Sequence, residues 1–480
     1  MISKTTEYFD IELLKRYLLV ALGTIVLWRI FPAGGAVVVA YFVIVSAVRQ
    51  KPTELMFWVL FLAFTLVGNR QLMPTTNVTM VVLRATLLLL TILLAKKLTS
   101  GGGANKWLLT PFWGLMFYLA WEALVSAQGF SPIISYLKLF LFVTMFLGLL
   151  GTANAFNHSL QADGTQLRTV ILAIVSIVII GSVLLMPFPA LSQLRSEEAL
   201  QAMLRGEVVG LFQGITAHSQ AMGTLSAILG TLLFADLVFS IRKWDRFYLL
   251  LLLLCPCLIY KTSSRTAMGT LIAGMGMVVF FIMQGKGLNA NWKGKLLMVI
   301  NMLVVAGTIS VCALPNIRRT TARFVLKAGE QSTASEIKVE NVLLSRQELI
   351  DTAVMNFKNK PLLGNGFQVS SDMQTRVFRG LSSYLSAPIE KGIWIYAVPE
   401  EGGIIGMALF CGWLLVLFKL LIARQAYIGA SVFFAVLVSN LGEFTLFAMS
   451  YAGGFNWALT FAALCLDCQR LKMPLSAAVN

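Results

Sequence analysis

Long uninterrupted runs of apolar residues recur along this chain, and they leave it few ways to fold. They fall at about 17–31, 35–48, 54–67, 77–95, 107–127, 132–150, 169–186, 218–240, 247–260, 266–284, 296–313, 402–422, 427–447 and 454–468. Inside hydrocarbon a backbone amide finds no water, so a spanning segment must bond to itself as a helix or close into a barrel. Barrel strands read as short alternating segments, and these runs do not alternate. The pattern predicts an all-α polytopic membrane protein of about 12–14 transmembrane helices. Composition agrees: 58% hydrophobic residues, 12% charged ones and a mean hydropathy of +0.79 give 480 residues too little polar surface for a water-soluble body. Several runs fall short of the roughly 20 residues a span requires, and the first pair, broken at Pro32 and Gly34-Gly35, is the least defined.

The formal charge of +16 invites comparison with nucleic-acid binders. The basic residues, however, stand singly or in pairs between apolar runs and form no stripe, so no nucleic-acid partner is expected. With the N-terminus inside, Arg49 and Lys51, Lys96, Lys97 and Lys106, Arg242, Lys243 and Arg246, Lys286, Lys293 and Lys295, and Arg470 and Lys472 all fall on the cytoplasmic side. Both termini are expected in the cytoplasm. Lys4, Lys15 and Arg16 precede the first run and no small-residue cleavage pattern follows, which suggests an uncleaved anchor. Cys255, Cys257, Cys312, Cys411, Cys465 and Cys468 all lie in or beside apolar runs, where packing explains them. The Cys465/Cys468 spacing resembles half a zinc site, but it has no second pair, and with two histidines in the chain no metal or cofactor is expected.

This topology divides the chain into N-terminal helices over 1–209, further helices over 210–313, a long outer segment over 314–392, and C-terminal helices over 393–480. A shorter outer loop, 187–209, mixes Arg195, Glu197, Glu198, Arg205 and Glu207 at helical spacing, which suits an interfacial helix. A structureless loop as long as 314–392 is uncommon without a functional purpose. Three polar stretches share that outer face. Gly210 to Gln220 is a Gly-rich turn that leads into a span with His218 and Ser219 at its start; local satisfaction of the histidine is the plainer alternative. In Lys261-Thr262-Ser263-Ser264-Arg265-Thr266-Ala267, Ser263 or Ser264 can cap the next helix, and Arg265 beside that positive end makes an anion site of the kind phosphates occupy. A snorkelling arginine is the alternative. In the long segment, Ser345-Arg346-Gln347-Glu348 has a capping-box pattern and opens an amphipathic helix through Phe357, ended by Pro361 and Gly364-Asn365-Gly366. Arg346 would then also sit in a first turn. Together Arg265 and Arg346 could grip a diphosphate through bidentate contacts in a partly dry site.

In these stretches the chain resembles the bacterial O-antigen ligases and O-antigen or exopolysaccharide polymerases. The resemblance runs from about Gly210 to Gly406 and rests on the Gly-rich turn with His218, the Ser264-Arg265-Thr266-Ala267 helix start, Arg346 with the Pro361 to Gly366 turn, and Glu400-Glu401-Gly402-Gly403-Ile404-Ile405-Gly406. It implies a fold related to the membrane-embedded GT-C-like glycosyltransferases, located in the bacterial inner membrane with the active site facing the periplasm. The donor would be an undecaprenyl-diphosphate-linked oligosaccharide, transferred with inversion and without a metal to an acceptor hydroxyl. Arg265 and Arg346 would hold the departing diphosphate, helped by Arg318, Arg319 or Arg323. The His-Asn pair usual before the Glu-x-Gly-x-x-Gly entry is replaced by Ala387-Pro388-Ile389-Glu390-Lys391-Gly392, so Glu390 is the expected general base and His218 the alternative. A Glu390–Lys391 surface pair is the competing explanation. Ser264, Lys391, Tyr384 and Trp394 are expected to contact substrate; Phe367, Phe378, Tyr384, Trp394 and Tyr396 could stack on sugar rings or form a small core. The missing pair favours a polymerase over a ligase acting on lipid A core. Membrane lipid and a chain-length regulator or flippase of the same pathway are the expected partners. A transporter or lipid flippase is the rival from another class, suggested by Arg29, Arg84, Glu122 and Lys138 in or near spans. The chain shows no matched pair of interrupted helices and no internal repeat to support it.

Overall fold

A computed structural model of the chain describes residues 9–99, 106–159, 163–193, 212–239, 246–262, 264–285, 340–369, 371, 391–449 and 452–472. These residues are all-helical: α1 (Ile11–Ile30), α2 (Pro32–Val48), α3 (Pro52–Thr65), α4 (Asn77–Thr99), α5 (Lys106–Ser126), α6 (Pro132–His158), α7 (Gly164–Leu185), the short α8 (Pro189–Ser192), α9 (Ser219–Phe239), α10 (Arg246–Lys261), α11 (Arg265–Met283), α12 (Glu340–Asn359), α13 (Trp394–Ala423), α14 (Tyr427–Ser439) and α15 (Ala452–Lys472). Extended pairing among the described residues is confined to isolated bridges, Gly68 with Thr216 and Gln193 with Phe212. The expected run 296–313 lies outside the described residues.

The side-chain distribution is that of a membrane-embedded protein. Leu124, Ile133 and Leu415 are each at least 70% exposed on outward faces, whereas Asn154, Asn456, Thr460 and Asp467 are buried. Among the described residues six helical stretches are long and apolar enough to cross a membrane: Asn77–Ala95, Pro132–His158, Gly164–Leu185, Ser219–Phe239, Arg265–Met283 and Trp394–Ala423. Pro32–Val48, Pro52–Thr65, Gly114–Ser126 and Tyr427–Ser439 are apolar but shorter. Six of the expected spans meet this measure among the described residues. The terminal helices α1 and α15 differ for a physical reason: α1 carries Glu12, Lys15, Arg16 and Arg29, and α15 carries Asp467, Arg470 and Lys472.

Helix α15 sits centrally, packed on α3, α6, α7, α9 and α14. Its Asp467 accepts from the amides of Ile428 (3.2 Å) and Gly429 (2.7 Å), and so caps α14, whose own preceding residue, Ala426, has no side chain able to do so. Small residues allow close helix crossings where lipid gives no hydrophobic drive. Gly274 of α11 lies against Thr231 of α9, and Gly223 of α9 against Thr262 and Ser264.

The helices alternate in direction, so the turns gather at two poles. One pole carries Arg49, Lys51, Arg246, Arg424 and Arg470, beside the N-termini of α1 and α7. Just within it, Arg168 of α7 donates through Nε to Asp236 of α9 (3.0 Å to Oδ2), and the Tyr248 hydroxyl of α10 donates to the same carboxylate (2.9 Å). This triad ties three helices and is almost wholly buried. Removing one partner leaves an uncompensated buried charge, which costs about 3–5 kcal/mol. Asp236→Ala is expected to lower the thermal unfolding midpoint of the purified protein markedly; an unchanged midpoint would show that the triad contributes nothing to stability.

Candidate functional site

The opposite pole is organised by the segment 440–449, which follows α14. The apolar run expected to continue through residue 447 instead stops at Ser439, because Asn440 turns the chain. Its side-chain Nδ2 donates to the Val436 carbonyl (2.7 Å), and its Oδ1 accepts from the Thr445 backbone amide (2.7 Å). The segment then lies across the N-terminus of α15, where Trp457 donates to the Leu446 carbonyl (2.7 Å) and Gly453 approaches the Thr445 and Ala448 carbonyls.

Three further helix N-termini meet this segment. Helix α9 starts at Ser219, preceded by His218, whose Nδ1 accepts from the Gln220 amide (3.2 Å) in the manner of an N-cap. The Gln220 side-chain amide donates to the Glu443 carboxylate. Helix α11 starts at Arg265, and Ser264 is its N-cap, accepting from the Ala267 amide (3.3 Å). Thr266 packs against Gly442. Helix α13 starts at Trp394, whose amide donates to the Asn440 carbonyl (3.3 Å). His218, Ser264, Arg265 and Trp394 are thus brought around one loop, together with Gln220 and Glu443. Glu443 carries no signal of its own in the sequence because it lies within an apolar run.

Arg265 is partly buried in the first turn of α11. Helix N-termini converge here with no acidic residue in the first turns of α9, α11, α13 and α15, so each start adds positive potential, against which the Glu443 carboxylate stands. With Nδ1 used as an acceptor, neutral His218 carries its proton on Nε2, which makes the ring a donor there.

Arg346 requires a correction. The chain is already helical at Glu340, so Ser345 and Arg346 lie inside α12 and not at its start. The four-residue capping-box pattern matched, but Asn341 to Leu344 carry the helix upstream through it. Arg346 therefore does not stand at the positive end of the helix. Leu349, one turn further along α12, packs beside Gly392, two residues before α13. That places the backbone of Arg346 on the same side of the molecule as Arg265. Glu390, Arg318, Arg319, Arg323, Phe378 and Tyr384 lie outside the described residues.

Lys391, expected to contact substrate or else to form a surface pair, has a buried setting. It is buried, and its ammonium reaches Glu400 Oε2 (3.2 Å) and Glu401 Oε1 (3.1 Å). A Glu390–Lys391 surface pair is incompatible with that burial. Burial disfavours the charged amine, but the two carboxylates outweigh it and raise the Lys391 pKa, so the group is cationic throughout the neutral range. Glu400 also accepts from Asn356 of α12 (2.8 Å).

These carboxylates flank an interruption in α13. Pro399 removes one amide donor, and Gly403 adopts φ 66°, ψ −167°, a conformation open to glycine alone. The freed groups find partners in the turn after α12. The Asn365 amide donates to the Glu400 and Glu401 carbonyls (3.0 Å each), the Gly366 amide to the Glu401 carbonyl (3.0 Å), and the Ile404 amide to the Pro361 carbonyl (2.8 Å). Trp121 of α5 donates to the Gly402 carbonyl (2.8 Å). The span expected to begin at 402 thus begins at Trp394 and is broken in the middle. Phe367 is buried against Phe142 and Phe447, so it belongs to the core; Trp394 stacks edge-on with Phe410, while Tyr396 is partly exposed.

Gly403→Ala is expected to destabilise the protein by at least about 1–3 kcal/mol from the backbone conformation alone, because the new Cβ also meets the Leu362 carbonyl. Chemical denaturation that leaves this variant as stable as the parent would contradict the description of the break. No protein-family model matches the chain, and no curated protein matches it at a significant level.

Proposed function

We propose that this protein is a membrane-embedded glycosyltransferase that moves a glycan from undecaprenyl diphosphate to a hydroxyl of a lipid-linked repeat unit. The observation that carries the reading is Arg265: a partly buried arginine in the first turn of a Ser264-capped helix, beside the His218-capped start of α9. A diphosphate held there meets a fixed cation, oriented amides and a ring N–H.

The acceptor hydroxyl gives its proton to a base and its oxygen attacks the anomeric carbon. The bond from that carbon to the diphosphate oxygen breaks, and the electron pair leaves on the diphosphate. Arg265 faces this growing charge, and Arg346, on the same side of the molecule, is the second candidate. Glu390 is the proposed base. His218 suits donation better than proton abstraction, since its Nδ1 already accepts the Gln220 amide. Ser264 acts through the helix cap, Trp394 through the position of the α13 start, and Lys391 through the buried pairing with Glu400 and Glu401. The proposed setting is the bacterial inner membrane with this pole in the periplasm, working beside a flippase and a chain-length regulator. Polymerase is preferred to an O-antigen ligase because the His-Asn pair is replaced.

The interrupted helix α13, with buried charges on either side of the break, favours a second reading. Transporters use such breaks to build ion and substrate sites, so a transporter or lipid flippase is the alternative.

Purified protein incubated with undecaprenyl-diphosphate oligosaccharide is expected to yield longer lipid-linked products. Arg265→Ala should lower the rate about a hundredfold, equivalent to about 3 kcal/mol of transition-state stabilisation, and Arg265→Lys should restore only part of it because the planar fork is lost. Transfer to lipid A core alone selects the ligase. Unchanged donor, or full activity in Arg265→Ala, refutes the proposal.

A further inference from the structure

Among the described residues the charges around the α13 break do not balance. Glu122 of α5, Glu400 and Glu401 of α13, Lys138 of α6 and Lys391 are all at most 4% exposed. Lys391 spans Glu400 and Glu401, and Lys138 donates to the Gln368 carbonyl (3.3 Å) while facing Glu401. Three carboxyl groups therefore share two ammonium groups among the described residues. Full ionisation would leave one net negative charge in a dry setting, where an uncompensated ion is strongly disfavoured.

Glu122 is the group left over. It is fully buried, lies against Gly402 at the break, and has no ion-pair partner among the described residues, whereas Lys391 is paired with Glu400 and Glu401. The Tyr118 hydroxyl, one turn back on α5, is a neutral hydrogen-bonding neighbour and brings no charge to it. Glu401 and Lys391 are the charged groups that face it from the α13 side, and Lys138 of α6 lies beyond them. Gly402 has no side chain, and a Cβ there would collide with the Glu122 carboxylate. A cavity of about 600 Å³ opens between the adjoining face of α5 and the 361–364 turn. It is lined by Trp121, the neighbour of Glu122, and by Pro361, Leu362 and Gly364, whose turn holds the break.

The geometry points to Glu122 as the holder of one exchangeable monovalent cation, a proton or a sodium ion, that neutralises the cluster and stabilises the break in α13. The site is independent of the glycosyl-transfer reading. A bound cation removes the surplus charge beside Gly402, so occupancy and closure of the break onto the Pro361–Gly366 turn are linked.

The test uses the full chain in lipid nanodiscs, by infrared spectroscopy and thermal unfolding at neutral pH. Choline chloride is replaced stepwise by sodium chloride at constant ionic strength. If a proton is held, the wild type shows the absorption of a protonated carboxyl, Glu122→Gln loses it, and sodium does not change the midpoint. If sodium is held, the wild-type midpoint climbs with each tenfold rise in sodium, and Glu122→Gln, which needs no counter-cation, removes the dependence. A wild type with neither a protonated carboxyl nor a sodium response overturns the inference without reference to any variant. A carboxyl signal or sodium response that persists in folded Glu122→Gln assigns the cation elsewhere and equally overturns it.

Discussion

A helix interrupted in apolar surroundings must find new partners for the backbone groups it frees, and the rest of the pole depends on how α13 does so. The turn 361–366 supplies amides to the Glu400 and Glu401 carbonyls and a carbonyl to the Ile404 amide. That exchange fixes α12 to α13, a connection reinforced by Asn356 on Glu400. It also sets the entry of α13, and through the Trp394 amide the entry is joined to Asn440. The break is held by hydrogen bonds and buried charge together: Lys391, from the segment before the helix, reaches back to both carboxylates beside the interruption.

From Asn440 the arrangement spreads to the reactive-looking face. Gly442 receives Thr266, Glu443 receives Gln220, and the α15 N-terminus lies beneath residues 445–449. One loop thereby sets the relative positions of four helix starts whose dipoles share a sign. The far pole is built differently. There the Arg168–Asp236–Tyr248 triad and the Asp467 cap tie helices together with fully paired polar groups. Buried ion pairs thus occur at both ends, and the pole around Asn440 adds Arg265 in the first turn of α11 beside the other helix starts.

Much of the fold could be read from apolar runs, because hydrocarbon imposes a strong pattern on sequence. The Ser264 cap of α11 and the helix-ending turn at Pro361 to Gly366 were also legible, since both are set by local chemistry. Signals that are local fail where the deciding contact is distant. Ser345 to Glu348 has the pattern of a helix start, yet α12 is helical from Glu340. Residues 440–447 are apolar enough to continue α14, yet Asn440 ends it and the segment finds its hydrogen bonds in α15. Lys391 resembles a surface lysine until α13 folds back its two glutamates. Glu122 was visible as an intramembrane charge, but the break that gives it meaning requires Gly402 and Gly403 to be seen against α5 and the 361–366 turn.

The account centres on Arg265 as the cation that holds a lipid diphosphate at this pole, and equilibrium binding measures that directly. Undecaprenyl diphosphate without sugar, titrated against the full chain in nanodiscs, is expected to bind saturably, to be displaced by inorganic diphosphate, and to bind at least about tenfold more weakly to folded Arg265→Gln, the loss of one charge-assisted contact. Equal affinity for the parent and Arg265→Gln would contradict it.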